Sequence, residues 1–150
     1  MNGKCLCGAV EFQLDEPLPS LYQCHCSLCR KLTGSSSDTA MFISRDQFRW
    51  VRGLDKISSY RTNTGYRSDF CNCCGCTVPH LMGKTSYFWV PAGLIDGELH
   101  SQVVAHLCVD SKAPWDLIGE RGVRFAEMPS MEVLSRLLHE SIEKIESNLV

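Results

Sequence analysis

Nine of the ten cysteines stand in three tight groups, Cys5/Cys7, Cys24/Cys26/Cys29 and Cys71/Cys73/Cys74/Cys76. That clustering constrains the fold more than any other feature of the chain. Thiols spaced as Cys-x-Cys are awkward partners for each other in a disulfide, but comfortable on one metal ion, although redox pairing of Cys71 with Cys74 stays an alternative. The N-terminus lacks the basic-then-apolar pattern of a secretory signal, so a cytoplasmic location is expected. In a reducing compartment clustered thiols are metal ligands or catalytic groups.

The spacings suggest two ions, both zinc. On an extended segment, residues two apart share a face, so Cys5 and Cys7 can aim at one ion. In a tight turn, residues three apart do the same, which suits Cys71 and Cys74, with Gly75 following where a turn needs positive φ. The two pairs make a closed tetrahedral sulfur site that staples an N-terminal strand to a central hairpin and contributes directly to folding. Cys73 and Cys76 offer the same spacing and remain an alternative register.

Cys24, Cys26 and Cys29 combine both spacings and can surround a second ion. Three protein ligands leave one tetrahedral position for water or a substrate thiol, the arrangement of catalytic zinc. A sulfur-rich shell weakens the metal as a Lewis acid, yet it can hold a thiol as the nucleophilic thiolate. Alternatively Cys76, Cys73 or His80 fills the fourth place and makes the site inert. His25, on an extended backbone between two ligands, would point away from the ion, backing the site from outside or facing solvent. Cys108 stands alone in a strand pattern and reads as core.

At 150 residues the chain suits one main domain. A net charge of −2 and scattered Lys and Arg give no basic field, so no nucleic-acid partner is expected. No apolar run approaches bilayer length, so no membrane association is expected either.

The pattern is mostly short strands with turn signals at close intervals. Strands are expected over 5–14, 40–43, 48–51, 57–61, 66–70, 77–82, 86–90 and 103–107. Residues 33–39, rich in Gly and Ser, read as a loop, either a plain connection or a lip beside the second site. After Pro129 and Ser130 a helix is expected over 131–149, capped by Ser130 and with Glu132 at the positive end of its dipole. Leu134, Leu138, Ile142, Ile145 and Leu149 fall on one face, which either packs on the β core, the favoured reading, or forms a homodimer contact.

Several stretches in order carry a family resemblance: Gly3-Lys4-Cys5-Leu6-Cys7-Gly8-Ala9-Val10, then Cys24-His25-Cys26-Ser27-Leu28-Cys29-Arg30-Lys31-Leu32-Thr33-Gly34, then Phe70-Cys71-Asn72-Cys73-Cys74-Gly75, Pro91-Ala92-Gly93-Leu94-Ile95-Asp96 and His106-Leu107-Cys108-Val109-Asp110-Ser111-Lys112-Ala113-Pro114-Trp115. The chain resembles the glutathione-dependent formaldehyde-activating enzyme (GFA) family, also called the centromere protein V/GFA domain family. The resemblance implies a mainly β, Mss4-like fold built around zinc, with a GFA-type domain expected over 1–120; the C-terminal helical extension expected over 121–150 lies beyond the resemblance. It implies a structural zinc on Cys5, Cys7, Cys71 and Cys74, and a catalytic-type zinc on Cys24, Cys26 and Cys29. The implied activity is that of a carbon–sulfur lyase, joining glutathione or a similar thiol to formaldehyde or a related small aldehyde. Members commonly have Ser or Thr where this chain has Cys76. Arg30, Lys31 and the 33–39 loop could meet a carboxylate of such a thiol, although solvated surface is the simpler reading for each. No general base can be assigned. The rival reading is a non-enzymatic module with two structural zinc ions that binds a protein or other ligand.

Overall fold

The structure is a computed structural model and describes residues 1–140. Twelve strands and two α-helices are present among them: β1 (Asn2–Lys4), β2 (Glu11–Leu14), β3 (Leu21–Cys24), α1 (Ser27–Thr33), β4 (Asp38–Ser44), β5 (Phe48–Arg52), β6 (Ile57–Arg61), β7 (Arg67–Cys71), β8 (Thr77–Val78), β9 (His80–Leu81), β10 (Tyr87–Pro91), β11 (Val103–Leu107), β12 (Val123–Arg124) and α2 (Met131–His139). The fold is therefore mainly β with a C-terminal helix, as the spacing of turn signals predicts. The chain divides into two compact units, Met1–Leu18 with Phe42–His100, and Pro19–Met41 with the segment from Ser101 onward.

The first unit contains two three-stranded sheets, in the orders β1-β2-β5 and β6-β7-β8. Alternation in β2 buries Phe12 and Leu14 and leaves Glu11 and Gln13 half-exposed. Phe12 stacks on Phe48 at 5.6 Å, and Phe48 stacks on Phe88 at 3.9 Å. Trp50 meets Phe48 edge-on at 4.9 Å, which completes an aromatic core in favoured ring geometries. The hairpin β6–β7 pairs Ile57 with Cys71 and Arg61 with Arg67, as the two alternating runs about Gly65 suggest.

In the second unit four strands run in the order β12-β11-β3-β4. β11 lies parallel to β3, with Leu107 beside Cys24, and β4 lies antiparallel to β3, with Asp38 opposite Cys24. Cys24 thus ends a strand flanked on both sides. α2 begins at Ser130, whose hydroxyl accepts from the Val133 amide at 3.3 Å. Leu134 and Leu138 are buried, and α2 contacts β11, so this face packs on the β core. Ile142, Ile145 and Leu149 lie outside the described residues.

Three local expectations are corrected. Residues 5–10 are not strand but a turn between β1 and β2, because the Cys5 amide donates to Val10 O at 3.0 Å and the Gly8 amide to Cys5 O at 2.9 Å. The run 77–82 is broken into β8 and β9 at Pro79, which has no amide for a ladder. Ser27–Thr33 is a helix and β4 begins at Asp38, so of the expected loop 33–39 only residues 34–37 are loop.

A candidate metal centre of three thiols and a second of four

In the first unit the turn at 5–10 and the turn after β7 each deliver two thiols. Cys5, Cys7, Cys71 and Cys74 have their sulfurs within 4.8 Å of one another. Cys5 Sγ lies 3.7 Å from Cys7 Sγ, and Cys7 Sγ lies 3.9 Å from Cys71 Sγ. The second turn is closed by the Gly75 amide donating to Cys71 O at 2.8 Å, and Gly75 holds φ +73°, which costs a glycine little. Backbone amides point at the sulfurs: Val10 N–H donates to Cys5 Sγ at 3.3 Å. The amide of Cys76, with that of Cys7, draws the Cys74 thiol down to about 6, while burial pushes Cys71 up to about 12. Amide donors of this kind offset thiolate charge, so the residues present suit a divalent ion with soft ligands.

The other two thiols of the turn stand outside this group. Cys73 is exposed and donates to Asn72 Oδ1 at 3.4 Å, and Cys76 donates to Thr77 O at 3.5 Å. His80 packs its ring on Trp89 at 4.9 Å, and its Nδ1 is buried without a hydrogen-bond partner. Burial lowers its pKa to about 4.

In the second unit Cys24, Cys26 and Cys29 have sulfurs within 4.8 Å of one another. Cys24 is buried at the end of β3. Cys26 is the N-cap of α1, and its sulfur accepts from the Cys29 amide at 3.5 Å. The first helical turn, rather than a β-turn, therefore converges Cys26 and Cys29. A hydrogen bond from the Cys29 thiol draws Cys24 down to about 6, and the same bond together with burial pushes Cys29 up. Further thiolates in so small a space require a cation, which is the donor chemistry of a soft metal site.

His25 is 2% exposed, which removes the solvent-facing reading. Its Nδ1 stands 2.6 Å from Asp116 Oδ2, and its Nε2 stands 3.1 Å from His106 Nδ1. His106 Nε2 lies 3.0 Å from Arg121 O. A carbonyl only accepts, so His106 Nε2 carries the proton there. Burial lowers the His106 pKa, and with the proton on Nε2 the neutral tautomer leaves Nδ1 to accept from His25 Nε2–H. Asp116, His25 and His106 thus form a buried chain directly behind the Cys24-to-Cys26 loop.

Asp38, buried opposite Cys24, has its pKa raised to about 6 by burial and then by the Cys24 charge. Cys108 is not in β11 but just beyond it, half-buried, and follows Leu107, which pairs with Cys24. The core reading of Cys108 is corrected: the strand ends at Leu107, and the turn that follows brings the sulfur to the cluster. Burial and then the Cys24 charge push it up to about 12. Arg30 donates from Nη2 to Ser111 O at 3.3 Å, and Lys31 is exposed. The Thr33 hydroxyl is engaged locally, donating to Cys29 O at 3.0 Å or Ser37 O at 3.1 Å.

A mainly β protein carrying one group of four thiols and one of three, each able to hold a metal ion, is the class that fold and sites define. The family model of the glutathione-dependent formaldehyde-activating enzyme matches residues 1–111, and the chain belongs to that family. It is 28% identical over 130 residues to a putative glutathione-dependent formaldehyde-activating enzyme of Halomonas elongata, covering 81% of this chain and 82% of that one. A crystal structure of a Rhodobacter sphaeroides protein, structural genomics target RhR83, shares the fold with a TM-score of 0.56 at 24% identity, covering 69% of this chain and all of that one. Among the described residues no helix is long and apolar enough to cross a membrane.

Proposed function

We propose that the protein is a zinc-dependent carbon–sulfur lyase that adds a low-molecular-weight thiol, such as glutathione, to formaldehyde or a related small aldehyde. The observation that carries this reading is the difference between the two thiol groups. Four sulfurs fill a tetrahedron, whereas Cys24, Cys26 and Cys29 leave a place for an exchangeable ligand. Cys5, Cys7, Cys71 and Cys74 would hold the structural ion, and Cys24, Cys26 and Cys29 the second.

At that second place a zinc ion held by Cys24, Cys26 and Cys29 would supply the means of holding a bound thiol as its thiolate. The chain supplies position. Cys24 is fixed between β11 and β4, Cys26 and Cys29 by the start of α1, and the loop between them by His25 on Asp116. In the reaction the thiol sulfur bonds to the aldehyde carbon, the carbonyl π bond breaks, and the thiol proton ends on the new hydroxyl.

The test is NMR exchange spectroscopy of glutathione with formaldehyde. The expected result is exchange faster than the uncatalysed rate with the wild-type protein and at that rate with Cys26→Ser, which retains the fold. Equal rates for the two proteins would overturn the assignment. A non-enzymatic zinc module is the second reading, and the thiol of Cys108 beside Cys24 favours it to the extent that Cys108 closes the site permanently.

A further inference from the structure

The reading above leaves Cys108 unused, although it is the thiol nearest to the three-cysteine group in the fold of this unit. We propose that Cys108 is the fourth, exchangeable ligand of the Cys24/Cys26/Cys29 centre, in place when the protein rests and displaced by the incoming thiol substrate. This rests on the assignment of a metal ion to those three cysteines.

Topology fixes the approach. β11 runs parallel to β3 with Leu107 beside Cys24, and the His25 amide donates to Leu107 O at 2.9 Å. The residue after Leu107 therefore emerges at the level of the Cys24-to-Cys26 loop, where the Cys24 charge acts on its thiol. The backbone is held there against its preference. Cys108 has φ +56°, and among the described residues it is the one non-glycine with positive φ. That conformation is disfavoured for an L-residue. A glycine would adopt it freely, so a side chain at this position argues for a use of the side chain. The Ser111 amide donating to Cys108 O at 3.0 Å and the Val109 amide donating to Phe125 O at 3.0 Å keep the turn in place.

The partial fit explains why the ligand exchanges. Cys108 reaches the Cys24 side of the group but is not within 4.8 Å of all three sulfurs, unlike the four thiols of the other site. In the exchange Cys108 gives up its place and the substrate sulfur takes it. One thiolate replaces another, so the charge of the centre does not change. Cys108 would thereby shield the centre between turnovers.

Cobalt(II) in place of zinc tests this without reference to turnover. The expected result is two cobalt ions per chain in wild type and in Cys108→Ser, with thiolate-to-cobalt absorption lower in the variant by about one eighth, one thiolate of eight. Added glutathione restores that absorption in the variant and leaves wild type nearly unchanged. A second measurement needs no variant: iodoacetamide labelling of Cys108, mapped by mass spectrometry, is slow in the metal-loaded protein and fast after chelation. Identical spectra of wild type and Cys108→Ser, or equally fast labelling with and without metal, would overturn the inference alone. Only one cobalt per chain in wild type would instead remove the second metal centre, and both readings with it.

Discussion

His25 Nδ1 stands 2.6 Å from Asp116 Oδ2, and both side chains are buried. A buried polar group deprived of its partner loses far more than the net worth of the bond. Asp116→Ala is therefore expected to cost about 2–4 kcal/mol, read as a lower urea midpoint with an unchanged slope. Because the pair anchors the loop between Cys24 and Cys26, metal affinity at the three-cysteine site should also fall roughly 10-fold or more. Stability within about 0.5 kcal/mol of wild type would show that the chain of buried groups does not hold the loop.

The two thiol groups should respond differently to loss of one member. Cys5 lies in the hydrophobic cluster with Val10, Cys71 and Val78, so its site is part of a core. Cys5→Ser is expected to abolish cooperative unfolding or to lower the melting temperature steeply, since metal binding there is folding free energy. Cys26→Ser is expected to keep the wild-type circular dichroism and to lose one ion. Equal damage from both substitutions would contradict a division into a structural and a reactive site.

His80 links stability to pH. Its pKa is lowered from 6.5 to about 4 by burial, so the folded protein resists its protonation while the unfolded chain does not. The unfolded state then binds more protons as pH falls, and stability drops through that window. The contribution is complete above about 6.5 and is lost between about 6.5 and about 4. It amounts to about 2–3 kcal/mol after discounting for partial exposure. Urea midpoints of wild type and His80→Gln at pH 7.5 and pH 4.5 isolate it from acid release of metal, which both proteins share. The variant should lose less on acidification.

Gly53 has φ +82°, and a Cβ there would sit 2.0 Å from Ala9 O. Both the backbone and the neighbour forbid a side chain, and the neighbour is the turn that carries Cys5 and Cys7. Gly53→Ala is expected to destabilise by more than about 2 kcal/mol, measured by thermal denaturation. Gly65→Ala carries only the backbone penalty, since nothing lies within 4 Å of its Cβ, and should cost about 1 kcal/mol.

What could be read in advance was local. The sulfur spacings in 5–7, 24–29 and 71–74 encode convergence within a few residues, whether the backbone between them is strand, turn or helix. That is why the groups are found together although the turn at 5–10 and the helix α1 were not anticipated. α1 has seven residues, too few for an apolar period to show. The Ser130 cap and the spacing of Leu134 and Leu138 are likewise local. The register of β11 against β3 is not, and everything that depends on it stayed hidden: the burial of His25, its partners His106 and Asp116, and the approach of Cys108 to Cys24. Asp38 was hidden for the same reason, since only its pairing in β4 sets it opposite Cys24. A single His between two cysteines reads as outward-facing on an extended strand. Here the backbone bends at the strand end, and the ring turns inward.

The most direct test is zinc per chain in freshly purified protein, followed through brief exposure to a mild chelator alongside circular dichroism. The account predicts two ions, one leaving well ahead of the other while the β signal persists. A single ion in total, or two that leave together with the fold, would contradict it.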